Sequence, residues 1–120
     1  MTILVCGSRT WTDPARIVRE LRSRTENTVG TRIIHGNAIG ADQLAGDAAR
    51  QLGLSVRAYP AEWERYGKSA GYRRNTQMLD ESPDLVLAFW DGQSKGTAHT
   101  IAEARRRGIP IHVVTKDTRR

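Results

Sequence analysis

The amino-acid sequence predicts an α/β fold: a Rossmann-like, doubly wound parallel sheet of about five strands with helices on both faces. Two observations carry this. Runs such as Thr2 to Cys6 and Asp84 to Trp90 are apolar at nearly every position, which marks strands covered on both faces, as in a parallel sheet. Between the runs lie stretches whose apolar residues recur three and four apart, the period of crossover helices. Right-handed crossovers then make 3-2-1-4-5 the simplest strand order.

The first strand, Thr2 to Cys6, stops at Gly7. Asp13 caps the first helix, and Pro14 takes its first position, where a missing N–H costs nothing. Ile17, Val18 and Leu21 form its apolar stripe. Thr31 to His35 is the second strand, and it runs through a glycine-rich turn into a helix carrying Leu44, Ala45, Ala48, Ala49 and Leu52. Gly53 ends that helix, and Leu54 to Tyr59 forms a third strand stopped by Pro60. Residues 60–71 read as irregular, and a connection of that length in a small domain is usually functional. A helix is expected over 71–81, a strand over Asp84 to Trp90, and a helix through Arg107 closed by Gly108. Ile109 to Val114 is the last strand.

A chain of 120 residues is one domain, here 1–115, followed by a basic tail at 116–120. No apolar run approaches the roughly 18 residues of a membrane span, and no signal peptide is expected, so the chain reads as cytoplasmic. One cysteine excludes an internal disulfide and a Cys-based zinc cluster, and His35, His99 and His112 are too dispersed for a metal site. Cys6 reads as a buried inert thiol and His112 as structural; His35 is either a ligand contact or an ordinary sheet-end histidine. The formal net charge is +6, with the surplus at the two ends; residues 26–103 carry eight basic and ten acidic side chains. That balance permits nucleic-acid binding without requiring it.

In such sheets ligands bind at the carboxyl ends of the strands, where strand order reverses. Three loops fall there. After the first strand, Gly7 allows a close turn, Ser8 offers a hydroxyl and Arg9 a planar donor fork for phosphate or carboxylate. After the second, Gly36-Asn37-Ala38-Ile39-Gly40-Ala41-Asp42 leads into a helix whose N-terminal amides suit an anion. It is neither a Walker loop nor a dinucleotide fingerprint. Asp42 is either the cap of that helix or a ribose acceptor. After the fourth, Asp91 to Thr97 repeats the pattern with Gly92, Ser94, Gly96 and Thr97. A fourth element brings Trp63, Lys68, Gly71, Arg73, Arg74, Asn75 and Met78; Trp63 either stacks on a base or plugs the core edge.

Val5-Cys6-Gly7-Ser8-Arg9, then Gly36-x-x-x-Gly40-Ala41-Asp42, then Ala70-Gly71-x-x-Arg74-Asn75-x-x-Met78, then Gly92-x-Ser94-x-Gly96-Thr97 resembles the SLOG superfamily, over about residues 3–114. That superfamily joins the DNA-processing protein DprA (Smf) and the Lonely Guy hydrolases, and the likeness is greatest to the small YspA-like group. The resemblance implies a Rossmann-like domain binding a nucleotide or nucleotide-derived molecule, such as a nucleoside monophosphate or an ADP-ribose derivative, and a homodimer. No cofactor is expected. Gly36, Asn37, Gly40, Ala41, Asp42, Gly92, Ser94, Gly96 and Thr97 would then surround phosphate, with Arg9 and Arg74 neutralising it. Gly7, Ser8 and Lys68 would also contact the ligand, Asn75, Asp42 or Asp91 would address the ribose, and Trp63 would meet the base.

A Lonely Guy-type enzyme would be a nucleoside 5′-monophosphate phosphoribohydrolase. Arg74 matches the arginine of that branch, but His99 and Thr100 stand at its acidic positions and Trp90-Asp91-Gly92 replaces Pro-Gly-Gly. Loss of a base leaves an oxocarbenium-like sugar that needs a carboxylate, so Asp91, Glu103 or Asp42 must supply one. The DprA branch implies single-stranded DNA as partner; its glycine loop is similar to Gly36 through Ala49 and its helix start to Arg74-Asn75.

Overall fold

The computed structural model describes residues 1–115; the tail expected at 116–120 lies outside the described residues. Five parallel strands form one sheet, β1 (Thr2–Gly7), β2 (Arg32–His35), β3 (Ser55–Ala58), β4 (Leu85–Phe89) and β5 (Ile111–Val114), in the order β3-β2-β1-β4-β5. This is the predicted order. Strand order reverses between β1 and β4, whose register pairs Gly7 with Phe89.

Two layers of helix cover the sheet. Helices α1 (Pro14–Thr25) and α2 (Ala41–Gln51) pack on Ile3, Val5, Ile33, Leu87 and Phe89. On the opposite face, α4 (Ala70–Leu79) and α5 (Lys95–Arg106) pack on Leu4, Cys6, Ile34, Val86 and Ala88. Consecutive residues of β1 therefore enter different cores, which is why that strand carries no polar side chain between Ile3 and Cys6. Asp13 caps α1 as its sequence requires, its Oδ1 accepting from Arg16 N at 3.1 Å.

Residues 60–71 depart from expectation. They hold a one-turn helix, α3 (Trp63–Tyr66), a 3-10 turn at Gly67–Ser69 and the start of α4 at Ala70. None of Trp63 to Ser69 is buried, so these turns follow local propensity with no apolar period to announce them. Among the described residues, no helix is long and apolar enough to cross a membrane.

Candidate functional site

The loop after β1 is locked from both sides. Ser8 N–H donates to Phe89 O at 2.9 Å, and Ser8 O accepts from Trp11 and Ala41 N–H at 3.2 and 3.1 Å. The Ser8 hydroxyl, buried, accepts from Asp91 N–H at 2.8 Å. The structure thus spends Ser8 on joining three loops. Trp11 is sunk edge-on against Phe89, with ring centroids 5.3 Å apart. With its neighbours so fixed, Arg9 stays exposed and makes no hydrogen bond or ion pair among the described residues.

The loop after β2 differs from the open anion cradle that its glycines suggest. Asp42 is buried, and its Oδ2 accepts from Gly36 N–H at 3.1 Å and Ala38 N–H at 3.4 Å. Asn37, at φ 59°, donates its N–H to His35 Nδ1 at 3.0 Å. Ala41 N–H is taken by Ser8 O and Gln43 N–H by Ala38 O. The negative charge favoured at the N-terminus of α2 is therefore the protein's own carboxylate. The cap position belongs to Gly40, at φ 88°, where a Cβ would run into the carbonyls of Ser8 and Arg9. Burial pushes the Asp42 carboxyl up to about 6, against the loop amides and the guanidinium groups of Arg74 and Arg9, which favour its charged form.

His35 is buried under α2. Its Nδ1 accepts, so Nε2 carries the proton, and Nε2 points at Gly46, where a Cβ would stand 2.8 Å away. Burial lowers its pKa, favouring the neutral form. It holds Asn37 in place and does not line the cleft.

The start of α5 is the open one. Asp91 Oδ1 accepts from Gln93 and Ser94 N–H at 2.8 and 2.9 Å, which shapes the turn and holds the Asp91 carboxyl below its usual range. Gly92, at φ 82°, completes that turn. The N–H groups of Lys95, Gly96 and Thr97, the first three of α5, have no acceptor among the described residues. A helix leaves such amides free at its start, and they carry its positive dipole end.

Arg74 faces them from α4. Its Nε donates to Asn75 Oδ1 at 2.9 Å and its Nη1 to Gly36 O, leaving Nη2 uncommitted among the described residues. Buried Asn75 also approaches Gly96 O and His99 Nδ1, each 3.3 Å from its Nδ2. Its amide is fully engaged in tying α4 to α5 and aiming Arg74. His99 in turn stacks on Tyr72, with centroids 4.3 Å apart.

Two adjoining clefts result. One, of about 270 Å³, has Gly7, Arg9, Asp42, Arg74 and the residues Ser94 to Thr97 in its wall. The other, of about 350 Å³, runs past Gly36, Asn37, Ile39, Pro60 and Trp63. Arg9 and Arg74 border both. The first contains three cations, Arg9, Arg74 and Lys95, and one carboxylate, Asp42. It is cationic although the central sequence block is acidic, because most of that block's acids lie elsewhere on the surface.

Trp63 does not plug the core: it is 52% exposed and walls the second cleft over Gly71. Lys68 sits on the exposed 3-10 turn and reaches neither cleft. Glu103 is two helical turns, about 10 Å, beyond Gly96 and bonds Arg106 and Arg107 outside the clefts. Ala41 packs under Gly7 as core. Lys95, Ile39 and Pro60 also line the clefts, Lys95 and Ile39 within the two glycine loops, and only Pro60 carries no signal of a site in the sequence. Among the described residues no three His, Cys, Asp or Glu side chains converge as a metal site would require.

The model of the family described as "YspA, cpYpsA-related SLOG family" matches residues 1–66, which include the loops after β1 and β2. The Gene 61 protein of Mycobacterium phage D29 is 38% identical over 115 residues, covering 91% of this chain and 92% of that protein. The X-ray structure of DNA processing protein A (DprA) from Streptococcus pneumoniae superposes with a TM-score of 0.75 at 22% identity, over 98% of this chain and 51% of that one. This chain thus spans about half the length of that structure, and the likeness is one of fold.

Proposed function

Because the chain belongs to the YspA, cpYpsA-related SLOG family, we propose that its clefts bind a nucleotide or nucleotide-derived ligand, a nucleoside monophosphate or an ADP-ribose derivative, as a sensor or sequestering module. What supports this most is the opposition of the free amides at Lys95 to Thr97 to the guanidinium groups of Arg74 and Arg9, in a cleft that continues to an exposed tryptophan. Phosphate takes the helix start and the arginines, each a charge-assisted contact. The base takes the second cleft against Trp63 and Ile39. The ribose lies between them, past Ala38. A cytoplasmic location and a homodimer complete the proposal, and sedimentation measures the second.

A thermal-shift panel of AMP, other monophosphates, NAD, ADP-ribose and a short single-stranded oligonucleotide tests it. A ligand at 100 times its Kd contributes about 2.7 kcal/mol, which raises the Tm of a domain this size by about 10 °C. A shift with one small nucleotide supports the reading, and a flat panel contradicts it.

Two specific observations support other readings. Among the described residues Asp42 is the one carboxylate lining the first cleft, so N-glycosidic hydrolysis would place it at the sugar and Arg74 at the phosphate; release of free base, abolished by Asp42→Asn, tests that. The guanidinium groups of Arg65 and Arg73 stand 5.0 and 4.4 Å from the centroid of the Tyr66 ring, and Trp63 and Tyr72 are exposed. Such a surface suits single-stranded nucleic acid, and retention that falls steeply with salt would favour it.

A further inference from the structure

The nucleotide reading leaves one group unexplained: a buried carboxylate in the wall of a cleft meant for an anion. Asp42 Oδ2 is used by the Gly36 and Ala38 amides, while Oδ1 has no hydrogen-bond partner among the described residues. Among the described residues no guanidinium comes within 4 Å of the carboxylate, so no direct ion pair fixes its charge there. Resting on the nucleotide reading of the cleft, we infer that the ligand binds together with one proton, taken from solvent onto Asp42 Oδ1.

The argument follows from the groups facing Asp42 on each side. From α4 comes Arg74, from the loop after β1 comes Arg9, and across the cleft on α5 stands Lys95. On β1 lies Cys6, whose thiol is pushed far up by burial and stays protonated. Burial of His35, at the end of β2, lowers its pKa and favours its neutral form. Beside the Ala38 and Gly36 amides, the guanidinium groups of Arg74 and Arg9 are thus what favours an ionised Asp42. A phosphate bound to them neutralises that support and adds its own negative charge to a cleft of about 270 Å³. Two like charges roughly 7 Å apart at an effective dielectric of about 20 oppose each other by more than one pH unit of titration. Burial already pushes the Asp42 carboxyl up to about 6, so a further rise of that size carries it through neutral pH. The added proton turns Oδ1 from a repelling acceptor into a donor toward a phosphate oxygen, while Oδ2 keeps its two amides.

The test compares the wild type with Asp42→Asn, using the tighter of AMP and ADP-ribose as probe, between pH 5.5 and 8 by calorimetry in buffers of different ionisation enthalpy. The ratio of the two proteins' affinities cancels titration of the probe itself. The expected result is net proton uptake in the wild type beyond that of Asp42→Asn, and a relative affinity about tenfold greater at pH 5.5 than at pH 8. Parallel pH curves overturn the inference and leave the nucleotide reading standing. Absence of binding to the wild type at every pH removes that reading and the inference with it. Where Asp42→Asn does not fold, the Asp42 side-chain carboxyl carbon is titrated by NMR in the wild type with and without saturating probe. A midpoint that rises by about a unit supports the inference; an unchanged midpoint overturns it.

Discussion

Gly36→Ala probes the site without replacing a charged residue. A Cβ at Gly36 would lie 2.5 Å from Arg74 Nη1, 2.7 Å from Cζ and 2.9 Å from Nε. The backbone there is not left-handed, so alanine itself is tolerated. The intruded group is the far end of a flexible side chain, and it yields. In yielding, Arg74 gives up its bonds to Gly36 O and Asn75 Oδ1. Hydrogen bonds to a charged group are worth about 1.5–3 kcal/mol, but the displaced guanidinium regains water, so the net loss is about 1–2 kcal/mol. For a domain of this size that lowers Tm by about 4–8 °C. Nucleotide binding suffers more in proportion, because one charge-assisted phosphate contact is lost: a weakening of about 10–100-fold. Calorimetric titration with AMP and ADP-ribose measures this beside a denaturation curve. In a double-mutant cycle Gly36→Ala adds nothing to Arg74→Ala, since both remove the same contact. Unaltered affinity, or losses that simply add, would refute the reasoning. Gly7→Ala is the contrast: its Cβ meets Phe89 O and, at 2.6 Å, the Cβ of Ala41, neither of which can move alone, so it damages folding first.

Three further outcomes are expected. Asp42 has a folded-state pKa raised to about 6, so the stability it contributes is full below about pH 4 and lost as pH rises through 6. Urea denaturation should therefore show Asp42→Asn gaining on the wild type by about 3 kcal/mol between pH 4 and pH 8, and a constant difference would contradict the burial argument. Trp63→Ala should weaken nucleotide binding about tenfold while barely moving Tm, since the ring is half exposed; nucleotide should also quench the wild type's tryptophan fluorescence, and loss of stability without loss of affinity would return Trp63 to a packing role. Glu103→Gln should leave nucleotide affinity unchanged, because its carboxylate serves Arg106 and Arg107, and a large loss would place Glu103 back in the cleft.

The sheet and its order were legible because β1 and β4, which flank the switch point, are apolar runs and α1, α2, α4 and α5 carry a helical period; β3, Ser55-Val56-Arg57-Ala58, is a mostly exposed edge strand with a weaker signal. The three loops at the switch point were legible for the same reason: topology alone assigns them. What could not be read was how each loop spends its hydrogen bonds. Two glycine-rich helix starts look alike in sequence, yet Asp42 folds back to fill the first, while Asp91 shapes the approach to the second and leaves its amides open. Glu103 shares a stripe of α5 with Gly96, but 1.5 Å of rise per residue carries it out of reach. Trp63 lay in a segment without apolar periodicity, so nothing in the sequence separated a core plug from a platform.

The account stands on where an anion lodges, and amide chemical shifts read that directly. Titration of the 15N-labelled protein with AMP and ADP-ribose should shift the N–H resonances of Lys95, Gly96 and Thr97 most, with the Arg74 Nε signal moving alongside. Shifts confined to residues 36–42, or none at saturating nucleotide, would contradict it.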